Sequence, residues 1–119
     1  MKILESGEDY LERILILQEK KGNVRSIDIA NDMHFSKPSV SVAIHKLEEG
    51  GYLTIDANGY LHLTDKGNEV ASKIYERHVL LTKWLMSIGV DEETASKDAC
   101  KIEHDLSEET IEALKKLNK

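Results

Sequence analysis

The 119-residue sequence predicts a mainly helical protein that carries one short β-hairpin. Three observations lead there. Apolar residues recur at three- and four-residue spacing along most of the chain, the period of helices with one buried side. Residues 52–63 instead alternate one by one about Asn58-Gly59, the pattern of two strands joined by a tight turn. One proline and seven glycines leave few forced breaks, and 32% charged residues supply solvated helix faces.

The elements follow in order. Leu11, Ile14, Leu15 and Leu17 share a side of a first helix over residues 8–20, closed by Lys21-Gly22-Asn23. Ser26 is placed to cap a short second helix over 27–33, with Ile27, Ala30 and Met33 on one face. After a tight turn at His34-Phe35, Ser36 caps a third helix over 37–49. Pro38 falls in its first turn, where a missing amide hydrogen is harmless, and Val40, Ala43, Ile44 and Leu47 form its buried stripe. Gly50-Gly51 ends it, and the hairpin follows with strands near 52–56 and 60–63. Thr64 caps a long helix over 65–87 with Val70, Ile74, Leu81, Leu85 and Ile88 among its apolar positions, and Gly89 stops it. Asp91 caps a helix over 92–105 and Ser107 a last one.

Helix, short helix, turn, helix and two-stranded wing is the order of a winged helix-turn-helix, here expected over residues 1–64. A helical region over 65–119 follows. The first segment would present the 37–49 helix to a DNA major groove. Ser36, Lys37, Pro38, Ser39 and Ser41 lie at its N-terminal turn, where small polar groups and backbone amides suit phosphate. Val42, His45 and Lys46 lie on its solvent side, and Arg25 is a further cation expected to meet DNA. A net charge of -6 runs against nucleic-acid binding, but its distribution does not. Between residues 20 and 66 six basic residues cancel six acidic ones, so the acidic excess lies in the first helix and the C-terminal half, where a cation would be welcome. Winged helices also serve as protein-docking modules, and the pattern alone leaves that alternative standing.

Candidate donors for a divalent cation stand in four places. Asp9 and Glu12 are three residues apart on the first helix, His78 is in the long helix, and Cys100, Glu103 and His104 are spaced by three and four. Taken singly each has an ordinary role. The two acids suit a helix N-terminus, the cysteine suits a core, and Glu103 and His104 suit pairing with Lys97 or Lys101. The sole cysteine forms no intrachain disulfide, no apolar run reaches membrane-spanning length, and the apolar N-terminal stretch is too short for a signal peptide. A cytoplasmic protein with no membrane contact is expected.

At this point the sequence resembles the DtxR/MntR family of bacterial and archaeal metalloregulators. The resemblance rests on Glu8-Asp9-Tyr10-Leu11-Glu12, Ser36-Lys37-Pro38-Ser39-Val40-Ser41, Leu63-Thr64-Asp65-Lys66-Gly67, Arg77-His78, Ile88-Gly89-Val90-Asp91-Glu92, and the run from Cys100 to Ser107. It implies that Asp9, Glu12, His78, Cys100, Glu103 and His104 are metal ligands. It also implies that the helices after residue 65 build a homodimer, and that the metal-loaded dimer binds a palindromic operator in double-stranded DNA and represses metal-uptake genes. Asp9 is similar to the manganese branch of that family and Cys100 to the iron branch. Mn(II) and Fe(II) are therefore the expected ions, with Zn(II) a third candidate that the thiolate would accept. Thr82 and Ser96 stand where the iron branch's extra metal site would need ligands, so that site is not expected, nor is that branch's SH3-like domain. Val42 stands where relatives often carry a polar base-contacting side chain, which suggests apolar contact with thymine methyl groups. The rival reading is a thiol-based redox sensor on the same scaffold, with Cys100 activated by Lys97, Lys101 and His104. No spacing typical of a metallohydrolase occurs, and an enzyme is not expected.

Overall fold

A computed structural model of the chain describes residues 5–117. The elements are α1 (Glu5–Lys21), α2 (Ser26–Met33), α3 (Lys37–Glu49), β1 (Leu53–Ile55), β2 (Leu61–Leu63), α4 (Asp65–Ser87), α5 (Glu92–Ile102) and α6 (Glu108–Leu117). They form two compact units, one ending at Ser72 and one starting at Lys73, so the division falls inside α4.

The N-terminal unit is a winged helix-turn-helix built on an apolar core. Tyr10, Leu11, Ile14 and Leu17 of α1 cluster with Ile29 and Ala30 of α2 and with Val40, Ile44 and Leu47 of α3. Val24, Leu53 and Leu61 complete the cluster beneath the wing. Fully burying an aliphatic side chain of this size stabilises by roughly 1.5–3 kcal/mol, so this cluster is the main source of the unit's stability. β1 and β2 pair antiparallel with Leu53 opposite Leu63 and Ile55 opposite Leu61. Their turn places the Gly59 amide on the Asp56 carbonyl at 3.0 Å, with Gly59 at φ +84, a three-residue loop with a left-handed glycine. The wing gains a third segment that local pattern did not announce. Arg25 bridges to Tyr60, and the Leu61 amide donates to the Val24 carbonyl at 2.8 Å.

Two expectations in this unit need correction. α2 starts at Ser26 itself, with Arg25 as its cap residue, because the Asp28 carboxylate accepts the Arg25 amide at 2.9 Å. Its buried residues are Ile29 and Ala30, while Ile27 is exposed. Arg25, the residue that bridges to Tyr60, is therefore the one from which the helix starts. The Ser36 cap holds, with its hydroxyl accepting the Ser39 amide at 3.3 Å.

The start of α4 is tied to the wing and to the end of α3. Thr64 caps it through the Gly67 amide at 3.1 Å and donates to the Gly51 carbonyl at 2.6 Å. A Cβ at position 67 would sit 1.8 Å from the Tyr52 carbonyl oxygen, so only glycine fits there. The Thr64-Asp65-Lys66-Gly67 run thereby has a steric explanation.

The C-terminal unit comprises the rest of α4 with α5 and α6. Its buried apolar residues are Ile74, Leu81, Ala95, Ala99 and Ile111, a smaller and finer-grained set. Gly89 at φ +102 ends α4, with the Val90 amide returning to the Leu85 carbonyl at 3.1 Å. Ile88, expected among the apolar positions, is 63% exposed just beyond the helix end. α5 begins at its expected cap, the Asp91 carboxylate accepting the Thr94 amide at 3.0 Å, but stops at Ile102 instead of 105. The reason is Arg77. Its guanidinium donates to the carbonyls of Glu103 and Leu106 at 3.1 and 3.0 Å, satisfying acceptors that a continuing helix would have satisfied internally. The chain then turns into α6, capped by Ser107 through the Thr110 amide at 3.2 Å. Lys73 and Arg77 both pair with Glu108, and the Lys73 ammonium holds that carboxyl below the ordinary range.

Candidate functional site

Three charged side chains are buried among the described residues: Glu12, Arg77 and Glu103. Burying a charge without a partner is costly, so each demands a compensating group. Arg77 has its carbonyls and Glu108. Glu103 is fully buried, with 0% exposure, and stands between two imidazoles of its own unit. Its Oε2 lies 3.0 Å from His78 Nδ1, and its Oε1 lies 3.5 Å from His104 Nε2. Oε1 receives no hydrogen bond from any described residue. A buried carboxylate oxygen left with capacity, flanked by two neutral-capable nitrogen donors, fits a divalent cation chemically.

The surroundings hold His78 from several sides. Thr82 donates to the His78 carbonyl at 2.7 Å, and the Ser96 hydroxyl lies 3.2 Å from His78 Nε2. Cys100 is half-buried on α5, one turn before Glu103, so the three-residue spacing read from the sequence survives the early end of that helix. His104 belongs to the turn after α5 rather than to the helix. The structure therefore brings together His78, Glu103 and His104, with Cys100 on the adjoining helical turn. Asp9 and Glu12 belong to α1 of the N-terminal unit. Asp9 is half-buried and Glu12 buried, and burial first, then the neighbouring Asp9 carboxylate, pushes the Tyr10 phenol up. Arg77 and Ser96 are the residues whose contacts the sequence did not reveal, although Arg77 stands in the Arg77-His78 motif and Ser96 at a position read as lacking a ligand. Neither carries a local signal, since each acts on a partner 18 or more positions away.

The other candidate surface lies on α3. Lys37, Pro38, Ser39, Val42, His45 and Lys46 are exposed, Val42 to 57%, and Ser41 is half-buried. Ser36 and Ser39 are exposed but partly committed to capping, their hydroxyls 2.8 Å apart, whereas the cations Lys37 and Lys46 and the outward Val42 and His45 face solvent from α3. Arg25 is exposed, with its guanidinium 4.5 Å from the centre of the Tyr60 ring on the wing.

Fold and site together define a class: a winged helix-turn-helix joined to a helical unit built around buried imidazole and carboxylate donors. Residues 2–63 match the iron dependent repressor N-terminal DNA binding domain, and residues 64–119 match the iron dependent repressor metal binding and dimerisation domain. The chain belongs to the iron-dependent repressor family, a family of transcriptional regulators. An uncharacterized HTH-type transcriptional regulator of Methanocaldococcus jannaschii is 38% identical over 113 residues, spanning 93% of this chain and 90% of that protein. The HTH-type transcriptional regulator MntR of Bacillus subtilis is 39% identical over 109 residues, 92% of this chain and 77% of that one. The solved structure of the manganese regulator SloR is similar with a TM-score of 0.83 and 31% identity, over 93% of this chain and 52% of that one. The chain thus spans about half the length of that solved regulator. No helix among the described residues is long and apolar enough to cross a membrane.

Proposed function

We propose that this chain is a cytoplasmic, metal-responsive transcriptional repressor that binds a palindromic operator as a homodimer when loaded with Mn(II) or Fe(II). The observation that carries the reading is Glu103: a fully buried carboxylate with His78 Nδ1 at 3.0 Å and His104 Nε2 at 3.5 Å, on the domain matched to metal binding. The proposed ligand set is Asp9, Glu12, His78, Cys100, Glu103 and His104. It mixes hard carboxylates, which favour Mn(II), with imidazole and thiolate, which suit Fe(II) and also Zn(II). MntR and the manganese regulator among the relatives favour Mn(II). The bound ion would supply positive charge that offsets the mutual repulsion of Asp9, Glu12 and Glu103, so metal favours whichever arrangement of α1 unites those acids.

On DNA, Arg25, Ser36, Lys37, Pro38, Ser39, Ser41, Val42, His45 and Lys46 are the proposed contacts, with α3 in the major groove. A dimer would present two such helices to half-sites one helical turn apart, and the exposed Met86 and Ile88 of the C-terminal unit are apolar surface that dimerisation could cover. The redox reading draws no support from the relatives, and Lys97, one of the cations it needs, is paired with Glu93 at 3.4 Å. The test is recovery of genomic fragments by metal-free protein supplied anaerobically with Mn(II), Fe(II), Zn(II) or chelator. Enrichment of a palindromic site only with metal is expected; equal recovery in chelator would overturn the metal dependence.

A further inference from the structure

We propose that Ser96 is a positioning residue for the metal centre: its hydroxyl holds the His78 ring in one orientation in both the metal-free and the metal-loaded protein by exchanging the roles of donor and acceptor. The proposal rests on the reading that His78 is a metal ligand. The observations are two contacts on opposite edges of one imidazole. Nδ1 faces the Glu103 carboxylate at 3.0 Å, and Nε2 faces the Ser96 hydroxyl at 3.2 Å.

A neutral imidazole carries one N–H and one lone pair, and the hydrogen bond at one nitrogen selects the state of the other. Beside a carboxylate, Nδ1 is the nitrogen that keeps the proton and donates it to Glu103. Nε2 is then an acceptor, and the Ser96 O–H donates to it. A metal ligand at Nδ1 must offer a lone pair there, so the ring's single proton moves to Nε2. Nε2–H now needs an acceptor, and the same Ser96 oxygen accepts it after its own hydrogen rotates away. A hydroxyl is both donor and acceptor, and threonine is the nearest replacement that keeps both roles in place; alanine offers neither. The partner of a ligating histidine's second nitrogen sets ring orientation and basicity, and losing such a partner typically costs ten- to a hundredfold in metal affinity.

Ser96 lies within α5, where alanine is a better helix former, so Ser96→Ala should leave the fold intact. The experiment measures Mn(II) affinity of the full chain by calorimetry for wild type, Ser96→Ala and Ser96→Thr. Alongside, ¹⁵N spectra of labelled histidine are recorded for metal-free and Zn(II)-loaded protein. Mn(II) affinity should fall about tenfold in Ser96→Ala and return to within about threefold of wild type in Ser96→Thr. In wild type the His78 proton should sit on Nδ1 without metal and on Nε2 with Zn(II), while metal-free Ser96→Ala shows a changed Nε2 signal. Affinity within twofold of wild type in Ser96→Ala, or an equal loss in Ser96→Thr with unchanged His78 signals, would overturn the role of Ser96. Absence of saturable metal uptake by the wild type would instead overturn the metal reading on which it stands.

Discussion

The two units of this chain are stabilised by different means. The N-terminal unit buries Leu11, Ile14, Ile29, Val40, Ile44, Leu53 and Leu61 in one apolar cluster and keeps its ion pairs, such as Arg13 with Asp32 at 3.1 Å, near the surface. The C-terminal unit buries fewer and smaller apolar groups and places two charged side chains inside, Arg77 and Glu103, against one, Glu12, in the N-terminal unit. Buried ions are weak contributors to stability, since desolvation offsets most of their attraction. The apolar-cored unit is the one matched to DNA binding, and the unit with two buried charges is the one matched to metal binding and dimerisation.

The strongest way to break that comparison is His78→Ala. It removes one donor from the centre and leaves the apolar core of the N-terminal unit untouched, so metal-stimulated DNA binding should disappear while basal, metal-free binding persists. Fluorescence anisotropy with and without Mn(II) checks this, and undiminished stimulation would detach His78 from the response. Next in size is Arg77→Ala. It leaves the Glu103 carbonyl without its buried donor and should cost about 2–4 kcal/mol by chemical denaturation, and Arg77→Lys should recover only part of that because an ammonium lacks the second guanidinium nitrogen, Nη2, that meets Glu108 while Nη1 donates to both carbonyls. Smaller still, Lys37→Ala on α3 should weaken DNA binding several-fold across sequences and reduce the salt dependence by about one counterion. An unchanged salt slope would remove Lys37 from the interface.

The smallest effect concerns Asp28, whose carboxyl is held low first by the hydrogen bond from Lys21 and then by the Arg25 amide. A carboxyl depressed in the folded state adds stability above its unfolded pKa, near 4, and loses it as pH falls through the folded value. Asp28→Asn should therefore be slightly less stable at pH 7, by under about 1 kcal/mol for a solvated cap, and the gap should close as pH drops below about 4. A gap independent of pH would show that charge at Asp28 is irrelevant.

Much of this fold was legible because its signals are local. Ser36, Thr64, Asp91 and Ser107 each cap the helix that their spacing announced, since an N-cap is a contact over three residues. The hairpin was legible from Asn58-Gly59 for the same reason. What escaped depends on distant partners. Ser26 lost its expected capping role to Arg25, the residue that bridges to Tyr60, 35 positions away, and α5 ended early because Arg77 takes the Glu103 carbonyl from 26 positions away. The candidate site divides in the same way. Cys100, Glu103 and His104 announced themselves by spacing, while the positions of Arg77 and Ser96 about them depend on tertiary structure.

The proposed function couples metal and DNA through this one chain, and coupling between two ligands is reciprocal. The most direct measurement is Mn(II) affinity determined by calorimetry in the presence and absence of saturating operator fragment. Operator should tighten Mn(II) binding by the same factor by which Mn(II) tightens operator binding. Mn(II) affinity indifferent to operator would contradict it, and would leave the donors of the C-terminal unit as a structural metal site with no hold on DNA.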